Sequence, residues 1–158
     1  MSASLQPGSP APAFDLPTDG GGHIRLADLK GQRVILYFYP KDDTTGCTRE
    51  AIDFTAAAKA FKKKDAVVIG VSKDSVKAHD KFKTKHQLDV TLASDEDGKV
   101  VERYGAWVQK SMYGRTYMGI DRSTFLIDGS GVIRRIWRKV RVPGHVDEVL
   151  AALGETKA

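Results

Sequence analysis

The run Val34-Ile-Leu-Tyr-Phe-Tyr-Pro-Lys-Asp-Asp-Thr-Thr-Gly-Cys-Thr-Arg-Glu50 holds a strand, a turn and the start of a helix. Unbroken apolar residues from Val34 to Tyr39, without alternation, predict a strand buried on both faces and therefore central. Pro40 fixes the strand exit, because proline has no N–H to give the ladder. A polar turn follows, Gly46 lets the backbone bend closely, and the chain's one cysteine stands at position 47. From there Ala51, Phe54, Ala58 and Phe61 recur at spacings of three and four, with Ile52 beside them. That period predicts one amphipathic helix, with Lys62 to Lys64 at its negative end and Asp65 at its exit. A lone thiol at such a junction meets free backbone N–H groups and the positive end of the helix dipole, which favour a thiolate. The alternative is a structural cysteine buried as a small hydrophobe. The polar, turn-rich surroundings favour a reaction centre.

Outward from this stretch, residues 1–12 carry prolines among small residues and read as an extended arm. Ala13 to Pro17 and His23 to Leu26 alternate around Asp19-Gly-Gly-Gly22, which predicts an N-terminal β-hairpin. Downstream, Ala66 to Val71 is a second buried strand, and Ser72 to Leu88 a helix held by Val76 and Phe82. Thr91 to Ser94 makes a short strand, Asp97-Gly98 a turn and Lys99 to Tyr104 a short helix. Residues 105–121 show no period and read as a loop bearing Trp107, Met112, Tyr113, Tyr117 and Met118, either functional or partly structured, with Trp107, Met112 and Tyr117 lining the thiol pocket or packing in the core. Ser123 to Asp128 and Val132 to Trp137 form a strand–turn–strand unit. A C-terminal helix with Val146, Val149, Leu150 and Leu153 on one stripe runs from near Pro143-Gly144 to Gly154, and 155–158 read as a frayed tail. The order implies an α/β domain over residues 1–158, a mixed central sheet with helices on both faces.

The composition bounds the partners. With 158 residues, 41% hydrophobic and 28% charged, the chain can bury a core without disulfides or metals. A single cysteine excludes an internal disulfide and a multi-cysteine zinc site. The net charge of +5 permits an acidic partner without demanding one. Arg134-Arg-Ile-Trp-Arg-Lys-Val-Arg141 is the densest basic run; a strand with a solvated basic face explains it better than nucleic-acid binding. Met1 to Gly8 has neither a basic nor an apolar signal region, and Val34 to Tyr39 is far too short to span a bilayer. No membrane association and a cytoplasmic location are expected.

Pro40-Lys-Asp-Asp-Thr44-Thr-Gly-Cys47 matches the Pro-x-x-x-Thr-x-x-Cys signature and resembles the peroxiredoxins. The wider run Tyr39 to Glu50 is similar to the bacterioferritin comigratory protein, or peroxiredoxin Q, branch. So are Gly8-Ser-Pro-Ala-Pro-Ala-Phe14, Asp95-Glu96, Tyr104-Gly-Ala-Trp107, Arg122-Ser-Thr-Phe125 and Pro143-Gly-His145. The resemblance implies a thioredoxin-like fold and a thiol-dependent peroxidase that reduces hydrogen peroxide and alkyl hydroperoxides, with no metal or organic cofactor. On it, Cys47 corresponds to the peroxidatic cysteine, which becomes a sulfenic acid. Arg122 corresponds to the arginine that favours the thiolate and donates to the peroxide oxygens. Thr44 corresponds to the hydroxyl that positions peroxide and Pro40 to the residue shielding the thiolate. Glu50 is placed to orient Arg122, or simply to favour the positive end of the helix.

In one respect the chain departs from the branch. Many members keep a resolving cysteine five residues after the first, where this chain has Ile52, and others keep one in the next helix, where none lies between Ser72 and Leu88. Either the chain is a natural one-Cys member or a resolving cysteine has been replaced. Ile52 favours the first, since an engineered replacement would more naturally be Ser or Ala, while Ser72, Ser75 and Thr84 leave the second open. The expectation is a one-Cys member. It would be recycled by an external thiol of thioredoxin, glutaredoxin or glutathione type and work as a monomer or weak dimer. Two other readings start from the thiol. A Cys–His hydrolase lacks its local signatures, and a dithiol oxidoreductase needs a second cysteine where Glu50 stands. His23, His79, His86 and His145 are scattered and read as surface or cap residues. The remaining alternative is a thioredoxin-like redox sensor switched by oxidation of Cys47.

Overall fold

The computed structural model describes residues 4–155. Its centre is a five-stranded sheet in the order β5-β4-β3-β8-β9. Here β3 is Arg33–Phe38, β4 Ala66–Ser72, β5 Thr91–Ser94, β8 Ser123–Ile127 and β9 Ile133–Trp137. Strand β3 pairs parallel with β4, in register Arg33↔Ala66 to Phe38↔Val71, and antiparallel with β8, Phe38 facing Ser123. All six residues of β3 are buried, Arg33 and then Val34 to Phe38 of the unbroken apolar run. Their alternation decides which core each joins. Ile35, Tyr37 and, one residue past the strand, Tyr39 pack with α1 (Thr45–Ala56), α2 (Ala58–Lys63), α3 (Val76–His86) and α5 (His145–Glu155). Val34, Leu36 and Phe38 face the opposite layer with Phe14, Tyr104, Ile120 and α4 (Lys99–Arg103). The thioredoxin-like arrangement is therefore lopsided: four helices cover one face, while α4 shares the other with the hairpin of β1 (Asp15–Pro17) and β2 (His23–Arg25).

The expected single helix after Cys47 is broken. Ala57, outside helical geometry, separates α1 from α2, and its N–H is shared among the carbonyls of Asp53, Phe54 and Thr55. Phe54 and Phe61 still meet at 5.8 Å, so the apolar stripe runs across the break and conceals it. Ile52 lies off that stripe, 41% exposed.

Residues 105–121 are no loop. They form an antiparallel ribbon of β6 (Trp107–Met112) and β7 (Arg115–Ile120), with Gln109 facing Met118 and Met112 facing Arg115. The turn is Tyr113-Gly114, both with positive φ, the geometry that matches a two-residue hairpin to the strand twist. Tyrosine is an uncommon occupant of that position, and the ribbon is mostly exposed on both faces, so neither turn chemistry nor alternation marks it.

At the N-terminus the extended arm is tied to the sheet edge. Gly8 N–H donates to the Ile133 carbonyl at 2.7 Å, and Ile133 N–H returns a bond to the Ser9 carbonyl at 2.9 Å. Residues 1–3 of that arm and 156–158 of the expected tail lie outside the described residues; Glu155 itself ends α5. Among the described residues no helix is long and apolar enough to cross a membrane.

Candidate active site

Strand β3 delivers Tyr39 and then Pro40 to the surface, where residues 40–44 turn back into α1. Asp43 takes a positive φ of 60°, tolerable for aspartate, and its carboxylate accepts from Lys85 Nζ at 2.7 Å and His86 Nε2 at 2.8 Å. Thr44 caps α1 in extended geometry, but its hydroxyl does not bond the helix. It donates to the Lys41 carbonyl at 2.8 Å and keeps its lone pairs for another partner. The first helical bond runs from Thr48 N–H to the Thr44 carbonyl at 2.8 Å, so Cys47 occupies the turn whose N–H groups lack helical acceptors.

Arg122 arrives from the other end of the chain. It links β7 to β8, with Asp121 N–H held by the Ala106 carbonyl at 2.7 Å and the Arg122 carbonyl accepting from Val140 N–H at 2.9 Å. Its Nη2 donates to Cys47 Sγ at 3.3 Å and its Nη1 to Glu50 Oε1 at 2.6 Å. A Cβ at position 46 would stand 3.1 Å from that Nη2, so glycine there leaves the guanidinium room to approach the thiol. Cys47 is buried at 2% exposure, and Glu50 is wholly buried with Oε2 unpartnered. Burial, opposed by Arg122, pushes the Glu50 carboxyl up to about 7. Burial also works against the Arg122 charge, but Glu50 and Cys47 outweigh it and hold the guanidinium above its ordinary range. A cation fixed by Glu50 and donating to a buried sulfur suits a nucleophile whose leaving group gathers negative charge.

Of the residues singled out in the sequence, Cys47, Arg122 and Glu50 are hydrogen-bonded together. Thr44 caps the same helix and Pro40 opens the turn in an exposed position; neither bonds the thiol. Met112 and Tyr117 stand exposed on the ribbon, and Trp107 is half-buried with Lys73 Nζ 4.3 Å above its ring. The basic run resolves into local contacts. Arg134 pairs with Asp128 at 2.6 Å, Arg135 covers Trp137, and Arg138 donates to the Tyr104 carbonyl at 2.9 Å.

Two histidines correct the surface assignment. His79, on α3, is fully buried between the turn and β5, and His145 is buried at 4% exposure with Nε2 2.7 Å from the Thr124 hydroxyl. Polar helix contexts hid them, since nothing local records which face a neighbour covers. Among the described residues no three His, Cys, Asp or Glu side chains gather as a metal site.

This geometry has known counterparts. A family model described as the AhpC/TSA family matches residues 7–136. The chain belongs to that family. It is 55% identical over 150 residues to a putative peroxiredoxin bcp of Coxiella burnetii, covering 95% of this chain and 99% of the relative. Among solved structures it is similar to Xylella fastidiosa PrxQ, at TM-score 0.92 and 37% identity over 98% of both chains. It is also similar to the Xanthomonas campestris bacterioferritin comigratory protein, at TM-score 0.86 and 43% identity over 90% of both chains. The chain is thus a peroxiredoxin of the bacterioferritin comigratory protein branch, a thiol-dependent peroxidase that takes a peroxide as substrate and a thiol as reductant.

Proposed function

We propose that Cys47 is the peroxidatic nucleophile of this peroxidase and that Arg122, Thr44, Pro40 and Glu50 serve it. The observation that carries this reading is the 3.3 Å bond from Arg122 Nη2 to Cys47 Sγ at the start of α1. The thiolate attacks the terminal peroxide oxygen, an S–O bond forms as the O–O bond breaks, and the leaving alkoxide or hydroxide takes a proton from water. Cys47 is left as a sulfenic acid. Arg122 offers its donors to the charge that moves onto the leaving oxygen, and Glu50 anchors the guanidinium through Nη1. Thr44, its own proton given to the Lys41 carbonyl, accepts the peroxide O–H, while Pro40 adds an apolar wall without a donor.

Hydrogen peroxide and alkyl hydroperoxides are the proposed substrates; the Xanthomonas campestris relative is described in terms of its alkyl peroxide reduction activity. With one cysteine in the chain, the sulfenic acid condenses with an external thiol, releasing water, and a second external thiol frees Cys47 from the mixed disulfide. That thiol is of thioredoxin, glutaredoxin or glutathione type. At 2% exposure the sulfur cannot meet a protein thiol in line, so the first turn of α1 opens before reduction. We read the enzyme as a single-domain, cytoplasmic monomer or weak dimer.

Intact-protein mass spectrometry after stoichiometric peroxide tests this reading. The parent gains the mass of one oxygen at Cys47, the Cys47→Ser variant gains none, and excess thiol restores repeated turnover. A Cys47→Ser variant that consumes peroxide as fast as the parent sinks it.

A further inference from the structure

The turn 40–44 is exposed at Lys41, Asp43 and Thr44, yet Asp42 between them is buried. Its side chain points inward and is saturated. Oδ1 accepts from Tyr39 O–H at 2.5 Å, and Oδ2 lies 2.6 Å from His79 Nδ1. Its backbone N–H donates to Asp74 Oδ2 at 2.8 Å, and the same oxygen takes the Ser72 hydroxyl at 2.6 Å. On the far side of the ring, His79 Nε2 stands 3.0 Å from the Ala93 carbonyl. A carbonyl only accepts, so Nε2 carries a proton; the carboxylate on the other side calls for a second, on the Nδ1–Oδ2 bond. His79 is therefore a buried imidazolium clamped between the turn and β5. Tyr39 just past β3, Asp42 from the turn and Asp74 from the segment before α3 are the titratable groups around it.

We propose that His79 is a positioning residue for peroxide reduction: with Asp42 it forms the buried tie that holds the turn carrying Pro40 and Thr44 in place beside Cys47. The inference rests on the roles assigned above to those residues. Its physical basis is that a buried ion pair, once one partner is removed, leaves an uncompensated charge that the surroundings move to solvate. Asp42 is the inward-facing member of the turn, so a shift of its carboxylate toward water takes the turn with it. The outer contacts of Asp43 with Lys85 and His86 are exposed and screened, and cannot replace the tie. His79 touches no reacting atom; it acts through the geometry of the turn.

The test compares two reactions of Cys47 in the purified, reduced protein. Peroxide oxidation, followed by stopped flow, needs Thr44 and Pro40 in place. Alkylation by iodoacetamide needs only an accessible thiolate. In His79→Gln, whose amide cannot span both acceptors, peroxide oxidation falls about 10²-fold, the scale of a misplacement near 1 Å. Alkylation stays within a few-fold of the parent. Asp42→Ala opens the same tie from the other end and falls equally, and the double variant falls no further. Asp42→Asn, whose amide can donate to a neutral His79 and still accept from Tyr39, restores most of the peroxide rate. If His79→Gln does not fold, the two Asp42 variants carry the same discrimination. Peroxide rates within about threefold of the parent, or both reactions falling in parallel, overturn the positioning role and leave the function of Cys47 standing. A parent that does not react at Cys47 sinks both.

Discussion

Arg122–Glu50 and His79–Asp42 are both carboxylate–cation pairs withdrawn from water, one touching the Cys47 sulfur and the other holding the turn before it. They differ in how fully each charge is met. Asp42 has a hydrogen-bond partner on both carboxylate oxygens and His79 one on each ring nitrogen. Glu50 has one oxygen bonded and the other unpartnered, and Arg122 spends a donor on sulfur. Burial is the largest influence on His79, and it opposes the charge. Asp42, the Ala93 carbonyl and Asp74 together outweigh it and keep the imidazolium above its ordinary range. At Glu50 the same opposition goes to burial, and the carboxyl is pushed up to about 7. A saturated pair serves as a fixture; an unsaturated one leaves donors and charge available to a substrate.

The sharpest way to break this contrast is to remove the cation that touches the sulfur. Arg122→Met deletes the charge and both donors, and the second-order rate with peroxide is expected to fall about 10³-fold, at the upper end for an oxyanion donor. Stopped-flow oxidation at pH 7 reads it. A loss no larger than that in His79→Gln would mean the two pairs play one role. Glu50→Gln keeps an acceptor for Arg122 and is expected to slow the reaction roughly tenfold, less than an outright misplacement.

The same variant sharpens the comparison through pH. A carboxyl held at about 7, against 4.5 unperturbed, contributes stability fully present below 4.5 and lost as pH rises through about 7. Urea midpoints of the parent should therefore drop between pH 5 and 8 more than those of Glu50→Gln. His79, also raised, is most stabilising below 6.5 and gives that up only as pH climbs through its higher folded value.

His145 supplies the smallest and opposite effect. Burial, with Arg122 nearby, lowers it to about 4. Its neutral ring contributes stability above pH 6.5 that is lost as pH falls through about 4, on the order of 1–3 kcal/mol. Urea melts at pH 7 and 4.5 should show the parent losing more than His145→Gln. Equal losses would remove His145 from the acid response.

The elements that could be read from the chain are those buried on both faces or on one clear stripe. Strands β3 and β4 carry long apolar runs, and β8 the shorter Phe125 to Ile127, because helices or the hairpin cover both sides of the sheet. The β6–β7 ribbon has no such cover, so burial leaves no pattern in Trp107 to Ile120. The break at Ala57 is silent for a related reason, because the apolar contacts on its two sides stay in phase. The half of the candidate site that holds Pro40 through Cys47 and Glu50 is contiguous and is legible in the run itself. Arg122, distant in sequence, is legible only through family resemblance, and no local signal marks the burial of His79 and His145, which read as surface or cap residues.

By itself, then, the sequence determined a thiol at the start of a helix behind a central strand, and a chain whose one cysteine has no partner within it for a disulfide. Those are local or compositional properties, and no partner elsewhere in the fold can alter them. Tertiary structure alone decided which charges the thiol and its turn would face: a guanidinium bonded to the sulfur and a buried imidazolium beneath Asp42. Whether a carboxylate or histidine carries charge depends on the water it loses and the dipoles it gains, and both are set by residues brought together across the fold.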